Sequence, residues 1–315
     1  MSSVHDQLKM SESLISLYDQ DCIEGMRNLV SDESVDLVIA DPPYFKVSGE
    51  KWDRQWRTES EYLDWCKVWL SELNRCMRYG GTLYLFGYFR MLAHIIPIAE
   101  SMGFALRQQI IIDKGMKAIS GRATKNYKQF PCVTESILFF IKDPIPFSRA
   151  LLKERQIATG KTSREINDAL GVRTNGGGMW SIYSGDNVCE QLPTKDQWEK
   201  LQKFLEFQYP YSRIGVTFNP VMGISDVWRD IDFYEECGLR IHPTQKPIKL
   251  IERLVKSSSR EGDLVLDPFM GSGGSAVVSK ANHRRFIGFE CDSDYFSKCK
   301  QRVESYKALS DWGVL

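Results

Sequence analysis

The chain has 315 residues, with 41 Lys/Arg against 41 Asp/Glu, so its overall charge supplies no steering toward a polyanion. That length allows one large core plus a smaller module. The eight cysteines (22, 66, 76, 132, 189, 237, 291 and 299) include no C-x-x-C, and the four histidines are isolated. This spacing argues against a zinc site and fits a reducing, cytosolic compartment; no metal is expected. No apolar run approaches membrane-spanning length and Met1–Ser13 is too polar for a signal peptide, so no membrane partner is expected.

In chain order, Leu14–Tyr18 is a short strand ended by Asp19-Gln20-Asp21. Cys22–Val30 follows as a helix with Ile23, Met26, Leu29 and Val30 on one face. Asp21 at the strand tip can accept a hydrogen bond from an adenine amino group; taken alone, it reads better as the cap of the next helix. Val35–Ala40 is aliphatic and β-branched, the pattern of a parallel strand buried on both faces. Pro42 and Pro43 cannot donate to a ladder, so the chain leaves the sheet there, at the edge where open α/β sheets bind ligands.

Asp41-Pro42-Pro43-Tyr44 thus forms an acceptor-rich clamp beside a stacking platform. Alkylation of an aromatic exocyclic amine needs such a clamp, because the amine lone pair is delocalised into its ring. Asp41 and the Pro42 carbonyl would accept the two amino hydrogens and localise that pair, while Tyr44 stacks on the base. By themselves these four residues read equally well as an Asx-Pro turn with a packed tyrosine.

The loop Lys46–Arg57 holds Trp52 and Trp56, which either close over substrate or dock on the core. Thr58-Glu59-Ser60-Glu61 reads as a capping box opening a helix with Leu63, Cys66, Leu70, Leu73 and Met77 on its apolar face; Gly80-Gly81 is expected to stop it. Strands at Thr82–Phe86, Gln108–Ile112 and Ser136–Ile141, with a helix around Leu92–Met102, give the alternation of an α/β, doubly wound, mostly parallel sheet.

Residues 143–225 break this rhythm through Pro144, Pro146 and the triple glycine 176–178, and read as an insertion. The stretch 114–173 carries twelve Lys/Arg against five Asp/Glu, a potential basic face. Thr162-Ser163-Arg164-Glu165 is a capping box leading Ile166, Ala169 and Leu170 to Gly171. With Lys161, Arg164 and Arg173 nearby, this helix reads as a surface helix of a small helical module in preference to half of a helix-turn-helix. Thr194-Lys195-Asp196-Gln197 starts another helix, through Phe204.

Regular pattern returns at the turn His242-Pro243-Thr244-Gln245-Lys246-Pro247, with Pro247 at a helix start and Ile248, Ile251, Leu254 and Val255 as a stripe. Leu264–Leu266 runs into Asp267-Pro268-Phe269-Met270-Gly271-Ser272-Gly273-Gly274, then a helix from Ser275, then a strand Phe286–Phe289 ending at Glu290. Strand, glycine turn, helix, strand and acid form a nucleoside site: the glycines admit the ligand to the backbone, and the acid takes ribose hydroxyls. Gly271–Ala276 satisfies G-x-G-x-x-A, with Glu290 19 residues beyond Gly271, and does not separate a nicotinamide dinucleotide from S-adenosylmethionine. The amine clamp does, because a methyltransferase needs both sites.

These motifs together resemble the β-type, permuted, amino-methylating DNA methyltransferases. The likeness rests on Tyr18–Cys22, Asp41–Tyr44, His242–Pro247 and Asp267–Gly273 with Phe286–Glu290, in that order, and covers most of 12–142 and 240–305. It implies a circularly permuted S-adenosylmethionine-dependent methyltransferase fold. The catalytic and cofactor core would be 12–142 and 226–305, with an inserted target-recognition module at 143–225. It implies that Asp41, Pro42, Pro43 and Tyr44 are catalytic. Phe269, Gly271 and Ser272 would line the cofactor path, with Asp267, Gly273 and Asp41 beside it. Glu290 would bind the ribose, Asp21 and Cys22 the adenine, and Thr244, Gln245 and Lys246 would sit near the cofactor carboxylate. Gly274-Ser275 departs from the threonines usual in the family, though Ser275 keeps a hydroxyl.

The function so implied is methyl transfer from S-adenosylmethionine to N6 of an adenine flipped out of double-stranded DNA. Asp at position 41 favours adenine over N4 of cytosine within that resemblance, which remains the alternative. RNA or protein-amide methylation, and a DNA-binding protein with an inactive site, are more distant rivals. The resemblance also admits a homodimer and a cognate restriction endonuclease as partners, in a cytoplasmic protein of prokaryotic or phage origin.

Overall fold

The computed structural model describes residues 14–47, 51–119, 130–171, 178–234 and 241–306. Met1–Ser13, Arg173, Gly176, Gly177 and Cys237, named above, lie outside them, as do Arg122, Lys125 and Lys128 of the basic stretch. Among the described residues, β1 (Ile15–Asp19), β2 (Val35–Ala40), β3 (Met77–Gly87), β4 (Phe104–Asp113), β5 (Thr134–Lys142), β6 (Val227–Trp228), β7 (Leu264–Asp267) and β8 (Arg285–Glu290) form one sheet. Its order is β1-β8-β7-β2-β3-β5-β4-β6. The pairings from β1 to β3 are parallel, as is β4 with β6; β5 runs antiparallel between β3 and β4.

Period-two alternation assigns each strand residue to one of two cores. Val38, Ala40, Leu83, Leu85, Leu138 and Phe140 face α1 (Cys22–Leu29), α2 (Glu59–Cys76) and α3 (Phe89–Ser101). Their neighbours Leu37, Ile39, Tyr84, Phe86, Ile137 and Phe139 face the other way. Both faces are therefore buried, which is why these strands read as continuous apolar runs.

Between β5 and β6 lie α4 (Ile145–Thr159), α5 (Ser163–Leu170), α6 (Gly178–Ser184) and α7 (Lys195–Phe204). They enclose a third core of Leu152, Ile166, Leu170, Trp180, Trp198 and Leu201. The capping boxes at Thr162 and Thr194 are both formed, and Gly171 closes α5 in the left-handed conformation. The second face of the sheet is covered by α8 (Ile248–Ser258), α9 (Gly274–Ala281) and α10 (Ser293–Ser305), with Ile248, Ile251, Leu254 and Val255 all buried.

Two local expectations need correction. Thr58 caps α2 by accepting from the Glu61 N–H at 3.2 Å, but Glu61 reaches back to the Arg57 N–H at 2.8 Å, so the box is not reciprocal. Nor do Gly80 and Gly81 stop the helix: α2 ends at Cys76, Met77 begins β3, and both glycines lie inside that strand. Gly80 has φ +73°, and a Cβ there would collide with the Ile214 carbonyl. Only glycine lets the returning chain lie that close.

The helical module docks at the amino ends of the parallel strands. Tyr79 near the start of β3 stacks on Phe147 of α4 at 4.3 Å. The Tyr209 hydroxyl donates to Glu33, just before β2, at 3.0 Å. The buried Arg78 guanidinium donates to Asp36 at 2.6 Å and to the Gly215 carbonyl at 2.8 Å.

Candidate active site

Parallel pairing brings the strand tips together at the opposite, carboxyl edge. Asp19 lies opposite Glu290, Asp267 opposite Gly288, and Val38 opposite Leu266. Asp41, just beyond β2, therefore emerges beside Asp267. Tyr44 folds back over its own turn, its hydroxyl donating to Asp41 Oδ1 at 2.6 Å. The Pro43 carbonyl is taken by the Tyr62 hydroxyl at 2.9 Å, so Pro42 is the proline carbonyl left to the proposed clamp.

Turn 241–247 crosses this edge and joins the two motifs. The Lys246 ammonium lies 2.7 Å from Asp41 Oδ2 and 2.9 Å from Glu135 Oε1. At the other end of the turn, a methyl group added at Gly271 would meet the His242 ring at 3.7 Å. The turn braces itself: Gln245, 6 % exposed, accepts from the Ile241 N–H at 3.2 Å, and Thr244 meets His242 Nδ1 at 3.1 Å. Trp52 stacks on the His242 ring at 6.0 Å, and Tyr295 meets the same ring edge-on at 4.3 Å. Burial, helped by Lys246, pushes the imidazole down to about 4. Trp56 docks on the core against Trp65 and Tyr62.

In the glycine loop, Gly271 and Gly273 have φ +47° and +73°. The Gly271 N–H donates to Glu290 Oε2 at 2.9 Å, while Glu290 Oε1 accepts from the Asp292 N–H at 2.9 Å. Burial pushes the Glu290 carboxyl up. Asp267 is deeper: it accepts from the Ser275 hydroxyl and the Phe269 N–H, and burial lifts it to about 7. Ser272 is anchored by Arg302 at 3.2 Å. Gly273 leaves no room for a Cβ beside Cys299. The Phe269 ring packs on Trp65 and Trp69, so its side chain braces the loop from the core side. At the β1 tip, Asp21 Oδ1 accepts from the Ile23 and Glu24 N–H groups at 2.9 and 3.2 Å, the cap expected of it alone. Cys22 is buried, which pushes its thiol up.

The structure thus gathers the assigned residues on one edge but moves Lys246: instead of standing free for a cofactor carboxylate, it is held between two protein carboxylates. It also adds Glu135 and Lys114, whose side chains are 10 % and 25 % exposed and 3.3 Å apart. Sequence reasoning passed over both. Glu135 stands at the start of an apolar strand, and it is the antiparallel pairing of β5 with β3 and β4, Ser136 opposite Gly87 and Glu135 opposite Ile112, that carries it to this edge. A separate groove of about 460 Å³ along β1, lined by Ile15, Leu17, Phe296 and Lys300, includes none of these residues.

An α/β sheet with its acidic strand tips, glycine loop and proline-tyrosine turn on one edge defines a class of group-transfer enzyme. Residues 35–301 match the N6_N4_Mtase family model, described as DNA methylase; the chain belongs to this family. It is 24 % identical over 312 residues to Type II methyltransferase M.HinfI of Haemophilus influenzae, covering 95 % of this chain and 70 % of that one. With DNA adenine methyltransferase YhdJ of Escherichia coli (strain K12) it shares 26 % over 275 residues, 86 % and 77 % of the two chains. Among solved structures, the PvuII DNA methyltransferase (cytosine-N4-specific) superposes with TM-score 0.58 at 15 % identity, covering 96 % of this chain and 90 % of that one. The M1.HpyAVI–SAM complex gives 0.53 at 19 %, covering 91 % and 99 %.

Proposed function

We propose that this DNA methylase transfers a methyl group from S-adenosylmethionine to N6 of an adenine in double-stranded DNA. The observation that carries this is the 241–247 turn, which touches Asp41 at one end and borders Gly271 at the other. Donor and acceptor sites then share one edge. The cofactor fits the residues present: Gly271 and Gly273 let the loop adopt its left-handed turn at the strand tip, and each Glu290 oxygen, though it accepts one backbone N–H, retains a lone pair for a ribose hydroxyl. Asp21 and Cys22 at the neighbouring strand tip would border the adenine.

When bound, S-adenosylmethionine supplies a sulfonium methyl group, whose carbon takes the nitrogen lone pair as its bond to sulfur breaks to leave a thioether. Asp41 and the Pro42 carbonyl accept the amine hydrogens and aim that lone pair. Tyr44 stacks against the flipped base, which must leave the duplex because a stacked amine cannot reach the site. The amine becomes acidic only once methylated; Asp41, whose carboxyl is pushed up by burial, then takes the proton and passes it to solvent.

Adenine is favoured by Asp at position 41 and by the name of the YhdJ relative. Cytosine N4 is the second reading, favoured by the fold likeness to the PvuII enzyme. We divide the chain as a core of 12–142 and 226–305 with 143–225 inserted. A role for that insertion in target recognition requires DNA to reach past the carboxyl edge, since α4–α7 dock at the amino ends. The name Type II carried by the M.HinfI relative suggests a cognate endonuclease as the further partner.

Modification-sensitive sequencing of DNA from cells expressing the chain, beside an Asp41→Ala control, tests the proposal. The expected result is N6-methyladenine at one short sequence, absent from the control. N4-methylcytosine would select the second reading; labelling of RNA or protein with unmodified DNA would overturn both.

A further inference from the structure

One carboxylate at the carboxyl edge belongs neither to the catalytic turn nor to the glycine loop. Glu135 Oε1 accepts from the Tyr44 hydroxyl at 3.2 Å and faces the Lys246 ammonium at 2.9 Å; Oε2 faces the Lys114 ammonium at 3.3 Å. Asp41 holds the same two donors more closely, Tyr44 on Oδ1 at 2.6 Å and Lys246 on Oδ2 at 2.7 Å. Two carboxylates thus share one phenol and one ammonium, and Lys246 also lies 3.3 Å from the Tyr44 oxygen.

In this arrangement Asp41 is engaged at both oxygens. An incoming amine must compete with donors already there. A buried ammonium does not leave one carboxylate unless another is waiting, because an unpaired buried charge is strongly disfavoured. Glu135 is the waiting acceptor. Burial acts to raise its carboxyl, but Lys246 and Lys114 outweigh this and hold it down to about 2, so it stays ionised.

We propose that Glu135 is a positioning residue for methyl transfer: it receives Lys246 and the Tyr44 hydroxyl when Asp41 turns to the target amine, and returns them after product leaves. This rests on Asp41 being the amine acceptor. The groups facing Asp41 are Tyr44 from its own turn, Lys246 from the 241–247 turn, Glu135 from β5, Asp267 from β7 and the Tyr62 phenol from α2.

The test is Glu135→Gln, assayed on purified enzyme with a methylatable duplex and S-adenosylmethionine, beside the parent and Asp41→Ala. With Glu135 neutral, Lys246 stays on Asp41, so kcat falls by roughly 100-fold while KM for either substrate changes little. The acid limb of the rate profile moves to lower pH, because the Glu135 charge no longer raises the Asp41 carboxyl. An unchanged kcat and acid limb in Glu135→Gln, with an active parent and an inactive Asp41→Ala, overturns the inference alone. Parental activity in Asp41→Ala overturns the reading beneath it. If Glu135→Gln lacks a cooperative melt, Glu135→Asp decides: slowed turnover with the parental acid limb supports the inference, and parental turnover overturns it.

Discussion

At the amino edge of the sheet, the buried cations Arg78 and Lys142 are held chiefly by backbone carbonyls, with a single carboxylate between them; at the carboxyl edge, carboxylates outnumber the cations. Arg78 pairs with Asp36 and donates also to the Gly215 and Tyr79 carbonyls and the Thr217 hydroxyl. Lys142 donates to the Asn74 and Met77 carbonyls. At the far ends of the same strands, Asp41, Glu135, Asp267 and Glu290 converge with Lys246 and Lys114 among them, and burial pushes Asp41, Asp267 and Glu290 up. The first arrangement holds the fold together. The second keeps acceptors poised for something other than the protein, as functional sites do.

Four variants sharpen or break that contrast. Arg78→Met strands Asp36 without its cation and should lower unfolding free energy by about 3–5 kcal/mol, read by urea melts, with KM values for the folded fraction unchanged. A KM shift would mean the amino edge serves the reaction.

Asp267→Asn tests the other edge. A carboxyl whose folded pKa is about 7, above its unfolded value, binds more protons when folded, so stability is present at low pH and falls as pH rises toward 7. The variant should flatten that slope and gain up to about 4 kcal/mol near pH 7, visible in melting temperatures across a pH series. A slope that persists in the variant breaks the assignment.

Glu290→Gln should weaken S-adenosylmethionine binding by about 10-fold in calorimetry, with the melt of the ligand-free protein close to the parent. Thr162→Ala, remote from both edges, should cost about 1 kcal/mol through the lost α5 cap alone. Loss of methyl transfer there at constant stability would bring the helical module into the site.

Local signals were legible where local chemistry decides the outcome. Val35–Ala40 matches β2 end to end, because two prolines terminate it. The box read at Thr162 forms, and the helix start read at Thr194 is capped in the same reciprocal way through Gln197. Long-range placement was not legible. Gly80-Gly81 looks like a helix stop until Ile214 is seen against it, and the Glu61 carboxylate finds Arg57 before Thr58. Lys246 could be placed on a turn, but which carboxylate it meets depends on strand register. Glu135 reaches the site through an antiparallel strand, whose residues approach the edge in the reverse sense.

Pairing of β1 with β8 sets Ile15 opposite Phe286, so the earliest strand waits on the ribosome until almost the last has emerged. The Asp41–Tyr44 turn is synthesised long before the glycine loop that lies on the same edge of the sheet, and a chain interrupted midway holds the first without the second. A pairing of such long sequence separation carries a loop-closure cost that short-range contacts do not.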